Sequence, residues 1–194
     1  MRYRYRSSSL VWVLIAVNIA MFIATAIRPD IANYLAVTKP IFESRYWTIV
    51  TAMFVHANFT HILLNMITLY FFGTLCLQLM DRKWFLLVYF VGGIIGNLFF
   101  LLIAPMYSAA VGASGAIFAL GGVLAMMRPT LRVYLFFLIP MPLWLGIIIG
   151  FVLTAFAAGI AWQAHLGGLV VGLIVGFFLR RRERRGWRPG YYRR

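Results

Sequence analysis

Ser114 lies in the run Gly112-Ala113-Ser114-Gly115, where a loop turns into an apolar stretch. Glycine on both sides of a hydroxyl lets a substrate backbone come close, and amides at a helix start can meet a developing oxyanion. His165 opens Ala164-His165-Leu166-Gly167-Gly168, and an imidazole is the side chain best suited to take a hydroxyl proton near neutral pH. His61 and Asn65 stand four residues apart, which places them on one helical face, with His56 and Asn58 just before them. A nucleophile, a base and a group of hydrogen-bond donors are the parts of acyl transfer. Each also has a plainer reading. Small residues serve close helix packing, and the His61/Asn65 face could hydrogen-bond a neighbouring helix.

Other chemistries find less support. All four acidic residues, Asp30, Glu43, Asp81 and Glu183, fall in loops, turns or a tail, which argues against a carboxylate dyad, an Asp-oriented base or a proton pathway. Cys76 is the only cysteine, so neither an intramolecular disulfide nor a cysteine metal cluster can form. Three histidines without a His-Glu-x-x-His pattern or a carboxylate ligand give no metal site, and the chemistry needs no cofactor.

The elements that must position these groups are membrane helices. The chain has 194 residues, 63% hydrophobic and 11% charged, far too apolar for a water-soluble surface. The expected fold is therefore all-α, a polytopic integral membrane protein in direct contact with a lipid bilayer. Apolar runs predict six transmembrane helices: Leu10–Ile27, Phe59–Leu79, Trp84–Ala104, Ser114–Met127, Met141–Ala158 and Ala164–Leu179. Pro140 and Pro142 set the run Val133–Ile139 apart as an interfacial connector. The Ser114 helix, at 14 residues, reaches only about 21 Å. It should begin below the membrane surface, with Ser114 at the floor of a polar cavity. Gly168, Gly172 and Gly176 form a stripe along the last helix. Packed on Gly115 and Ala119, that stripe would bring His165 to Ser114.

Charge orients the bundle. The formal net charge is +14, and of the 18 basic residues only Arg28, Lys39 and Arg45 fall on the opposite side if there are six crossings. The remaining 15 lie in two tails and two short turns, marking one face as cytoplasmic, with both termini there. This distribution follows a membrane rather than a folded basic face, so no nucleic-acid partner is expected. Arg2, Arg4 and Arg6 before the first span, with Ala24-Thr25-Ala26 near its end, resemble a signal peptide. The 18-residue run is longer than a signal core of roughly 7 to 15, and losing it would leave five crossings. The organisation expected is a basic N-terminal tail at 1–9, a membrane domain at 10–180 and a basic C-terminal tail at 181–194. The basic tails, with no targeting presequence, favour a prokaryotic plasma membrane.

Three motifs together resemble the rhomboid family of intramembrane serine proteases in its minimal six-helix form. They are His61-x-x-x-Asn65, Gly112-x-Ser114-Gly115 and Ala164-His165-x-x-Gly168-x-x-x-Gly172. The resemblance implies a Ser114–His165 dyad that cleaves peptide bonds. Asn65, His61 and the Ser114 amide would form the oxyanion hole, and His56 would support it near the cavity mouth. Two departures stand out. Many members carry Trp-Arg in the first outward loop where this chain has Trp47-Thr48, and a tyrosine stacking on the base where it has Phe118. The resemblance further implies single-span transmembrane proteins as substrates, lateral access past the uncharged Leu143–Ala158 helix, and a cap at Gly159–Gln163.

Competing readings are a catalytically silent rhomboid-like protein that binds membrane helices, a small transporter, and a purely structural membrane protein. Both Ser114 and His165 are present, which disfavours the first. The transporter lacks intramembrane acids and an internal repeat. Ser114→Ala separates the third, since it would leave a structural protein's function intact.

Overall fold

The computed structural model describes residues 8–135, 138–157 and 159–184. Eight helices are present among them. Four are long and apolar enough to cross a membrane: α1 (Ser9–Ile27), α4 (Phe59–Leu79), α5 (Arg82–Ile103) and α8 (Trp162–Arg184). Two shorter apolar helices join them, α6 (Ser114–Met127) and α7 (Leu143–Ala155). The remaining two, α2 (Pro29–Leu35) and α3 (Thr48–Thr51), lie in the loop between α1 and α4. The fold is all-helical apart from two small antiparallel pairs, β1 (Val37–Thr38) with β2 (Ala109–Ala110) and β3 (Arg132–Leu135) with β4 (Ile139–Pro142).

Local chemistry accounts for the main boundaries. The Asn58 side chain accepts from the His61 amide at 2.9 Å and starts α4, while Asp81 does the same for α5 through the Trp84 amide at 2.9 Å. α5 consequently begins two residues ahead of the first apolar residue, Trp84. Within the run Val133–Ile139, Val133–Leu135 lie in β3 and Ile139 opens β4, in a register that pairs Val133 with Met141, while residues 136 and 137 lie outside the described residues. Met141 and Pro142 are thereby drawn into β4, so α7 starts at Leu143. α8 begins two residues before Ala164 and continues through Arg184, where Glu183 and Arg128 form an ion pair at 2.7 Å. Of the two basic tails, residues 1–7 and 185–194 lie outside the described residues, as does Ala158 at the predicted end of α7.

The core sits around α6, ten of whose fourteen residues are buried. Glycine sets how close its neighbours come. A Cβ at Gly168 would fall well inside contact distance of the Gly115 carbonyl, and one at Gly172 would do the same to the Ala119 carbonyl. A Cβ at Gly176 would lie 2.8 Å from Met126 Cβ and 2.9 Å from Val123 Cα. The α8 glycine stripe thus meets α6 backbone to backbone, the approach that membrane helices reach only through small residues. On the other side of α6, Gly92 of α5 makes room for the Ala119 methyl group.

Candidate active site

Gly112 enters the site in a conformation that L side chains rarely adopt, with φ +119°. Its amide donates to the Ala52 carbonyl at 2.8 Å, tying the β2–α6 turn to the loop before α4. A Cβ there would also lie 2.7 Å from His61 Nε2, so backbone geometry and side-chain space both require glycine. The turn delivers Ser114 as the first residue of α6. The first backbone bond of that helix runs from the Ile117 amide to the Ala113 carbonyl, at 3.0 Å. The amides of Ser114, Gly115 and Ala116 therefore precede the helical ladder, where donors are available to an anion.

His165 is 4% exposed, on the first turn of α8. Its Nε2 lies 2.7 Å from Ser114 Oγ and its Nδ1 lies 3.1 Å from Thr154 Oγ1. The Phe118 ring stacks on the imidazole, with centroids 4.6 Å apart and planes 23° apart. Phe151 of α7 meets Phe118 edge-on at 6.1 Å. Both faces of the contact are set by packing. Gly115 and Gly96 lie against the Ala164 carbonyl, where a Cβ would stand 3.2 Å and 2.6 Å away respectively. The residue just before His165 is thereby held between α5 and α6.

His61 and Asn65 project from α4 into a cavity of about 750 Å³ that Ser114 and His165 also line. Asn65 Nδ2 donates to the His61 carbonyl at 3.0 Å, which occupies one of its two hydrogens. His56 is buried and meets His61 edge-on, with ring centroids 5.0 Å apart. Neither nitrogen of His56 meets a partner at hydrogen-bond geometry. Burial lowers its pKa to about 4, the nearby His61 adds to the effect, and the Phe54 carbonyl opposes it from outside that geometry. His56 is therefore neutral at pH 7.

Ser114, His165, His61, Asn65, Gly112 and Phe118 thus converge on one locus, with His56 behind His61 and Gly115 at the helix contact. Sequence reasoning passed over Thr154 and Asn97, which also line the cavity. Asn97 Nδ2 donates to the Ile49 carbonyl at 2.8 Å, anchoring the loop that contains α3. Thr51 Oγ1 adds a bond to the Leu35 carbonyl at 3.0 Å. In the same loop, where many members place Trp-Arg, Thr48 Oγ1 bonds the Arg45 carbonyl at 2.7 Å, and Arg45 itself lies over the Tyr34 ring at 4.9 Å. Thr154 carries the only hydroxyl between Leu143 and Ala155, and a lone polar group in an otherwise apolar span was the signal available for it.

The arrangement can take a proton from a hydroxyl and offer donors to an adjacent oxyanion. Comparison with known proteins supplies the family. Residues 43–182 match the Rhomboid domain. The chain is similar to YdcA, a rhomboid relative from Bacillus subtilis (strain 168), at 34% identity over 158 residues, covering 74% of this chain and 72% of that protein. It is 26% identical over 191 residues to the mitochondrial Rhomboid protein 1 of Saccharomyces cerevisiae, covering 91% of this chain but 55% of the yeast protein. Rhomboid-like protease 3 of Toxoplasma gondii is 33% identical over 129 residues, with coverage of 60% and 47%. This chain therefore spans about half the length of several relatives that it matches. On the domain match, the Bacillus similarity and the long apolar helices, the chain is an integral membrane protein that belongs to the rhomboid family.

Proposed function

We propose that this protein is an intramembrane serine endopeptidase that cleaves transmembrane segments of membrane proteins. The observation that carries the reading is the 2.7 Å contact between Ser114 Oγ and His165 Nε2, beneath the Phe118 ring and open to a cavity. His165 Nε2 takes the Ser114 proton as Oγ attacks the scissile carbonyl. The tetrahedral oxyanion is met by the Ser114 amide, the second hydrogen of Asn65 Nδ2 and His61, donors aimed at charge that develops in the transition state. His56 supports His61 from behind. The imidazolium then gives its proton to the leaving amine, and water hydrolyses the acyl ester by the same steps in reverse.

The substrates are single-span membrane proteins that approach past α7, where Leu143 to Ala155 carries no charge. Gly159 to Gln163 forms a cap over the cavity. In this reading α1, α4, α5, α6, α7 and α8 are six crossings of one membrane domain, residues 10–180, between basic tails that hold both termini in the cytoplasm of a prokaryote. The charge asymmetry supports that orientation.

The test is cleavage of a model single-span substrate in liposomes by wild type, Ser114→Ala and His165→Ala, with folding checked in each. Loss of product by at least about 10³-fold in both variants is expected. Product from Ser114→Ala would overturn Ser114 as the nucleophile, and no product from wild type across a substrate panel would transfer the function to helix binding without cleavage.

A further inference from the structure

We propose that Thr154 is a third, positioning member of the catalytic group, fixing the tautomer of His165 from α7. This inference rests on the proteolytic reading above. The argument is one of donor counting. A threonine hydroxyl has one hydrogen. Thr154 Oγ1 lies 2.9 Å from the Phe151 carbonyl, which can only accept, so the hydroxyl hydrogen goes there. At the 3.1 Å contact with His165 Nδ1 the same oxygen must then accept, and Nδ1 must carry a proton. A neutral imidazole with hydrogen on Nδ1 has its lone pair on Nε2, the atom 2.7 Å from Ser114 Oγ. One directed chain results: Ser114 Oγ–H to Nε2, Nδ1–H to Thr154 Oγ1, and Thr154 Oγ1–H to the Phe151 carbonyl. It needs no carboxylate, in agreement with a chain whose acids all stand away from this site. The opposite tautomer would place Nε2–H against the serine oxygen and leave the pair unable to remove its proton.

Thr154 differs from the other members of the site in where it sits. Ser114 and His165 are on α6 and α8, which touch backbone to backbone, whereas Thr154 rides on α7, which reaches α6 through side chains. Displacing α7 would break the Nδ1 bond first. The orientation of the base therefore depends on α7 lying in place beside it.

The test uses the full chain labelled with 15N-histidine, which has three imidazoles to distinguish. The His165 signals are assigned by their loss in His165→Ala. Resting wild type is expected to show His165 protonated at Nδ1, and Thr154→Val to show a mixture of tautomers. In kinetics Thr154→Val should lower kcat about 10- to 100-fold with KM within about twofold, and Thr154→Ser should restore most of kcat. An Nε2-protonated His165 in wild type overturns the proposal, as does a Thr154→Val enzyme with unchanged kcat. The tautomer is read on unmutated protein, so a valine variant that failed to fold would leave the decision to that signal. Cleavage that persisted in Ser114→Ala would instead overturn Ser114 as the nucleophile of the proteolytic reading while the tautomer result stood by itself.

Discussion

The contacts that α6 makes with α8 and with α7 are built from different atoms. Along α8, Gly168, Gly172 and Gly176 admit the carbonyls and α-carbons of α6, so neither helix can slide or tilt without a backbone clash. Along α7, Ile147 lies against Gly121 and Phe151 against Phe118, while Ile148, Val152 and Leu153 face outward at 51%, 44% and 52% exposure. Side chains can change rotamer and backbones cannot, so the first contact holds a geometry and the second only favours one. The pair that must stay within hydrogen-bond distance spans the first contact. The helix past which a substrate is proposed to approach makes the second.

The sharpest way to break this contrast is to put a side chain into the α6–α8 seam. Gly172→Val places branched carbons where the Ala119 carbonyl now sits, and overpacking of this kind should cost about 3 kcal/mol or more and remove activity. Thermal unfolding in detergent checks it, and a variant that melted like wild type would mean that the seam yields. Gly112→Ala attacks the same rigid region from the turn. Strain at φ +119° and collision with His61 together predict a loss of about 1 to 3 kcal/mol, with cleavage down roughly 100-fold. Retained cleavage would mean that the turn relaxes without moving Ser114.

Asn97→Ala probes how firmly the loop before α4 is tied to this rigid part. Loss of the 2.8 Å bond to the Ile49 carbonyl should cost about 0.5 to 2 kcal/mol and speed proteolytic nicking between residues 39 and 51. Unaltered nicking would show that Thr51 and its bond to Leu35 suffice. The smallest effect is expected on α7. Nothing stands within 4 Å of a Cβ at Gly150, so Gly150→Ala should change stability by no more than about 1 kcal/mol, in the stabilising direction. A large loss there would erase the distinction between the two contacts.

The helices that position the site were legible because the bilayer makes them so. Phe59–Leu79 and Ser114–Met127 are the spans that apolar runs predict, since a polar residue or a cap marks each boundary. Boundaries moved where a local alternative for the backbone competed, as at Met141 and Pro142, which pair with Arg132 and Val133 in a hairpin. The helices α2 and α3 carry no long apolar run of their own. They are held by bonds to distant carbonyls such as that from Asn97, which no local pattern announces.

Residue types and spacing by themselves determined that the chain is helical and built for a membrane. They also narrowed the candidate chemistry to Ser114, His165, His61 and Asn65, because buried polar groups are expensive in lipid and so few are present. Only the tertiary structure decided what each atom faces. It brought His165 Nε2 rather than Nδ1 to Ser114, turned Gly112 toward His61, and set Thr154 behind the base, 11 residues before it in the chain but on another helix. Hydrogen-bond direction and sub-ångström approach depend on how helices rotate and tilt against one another. That arrangement is fixed by the sum of many contacts across α5, α6, α7 and α8 and leaves no mark in any single stretch of sequence.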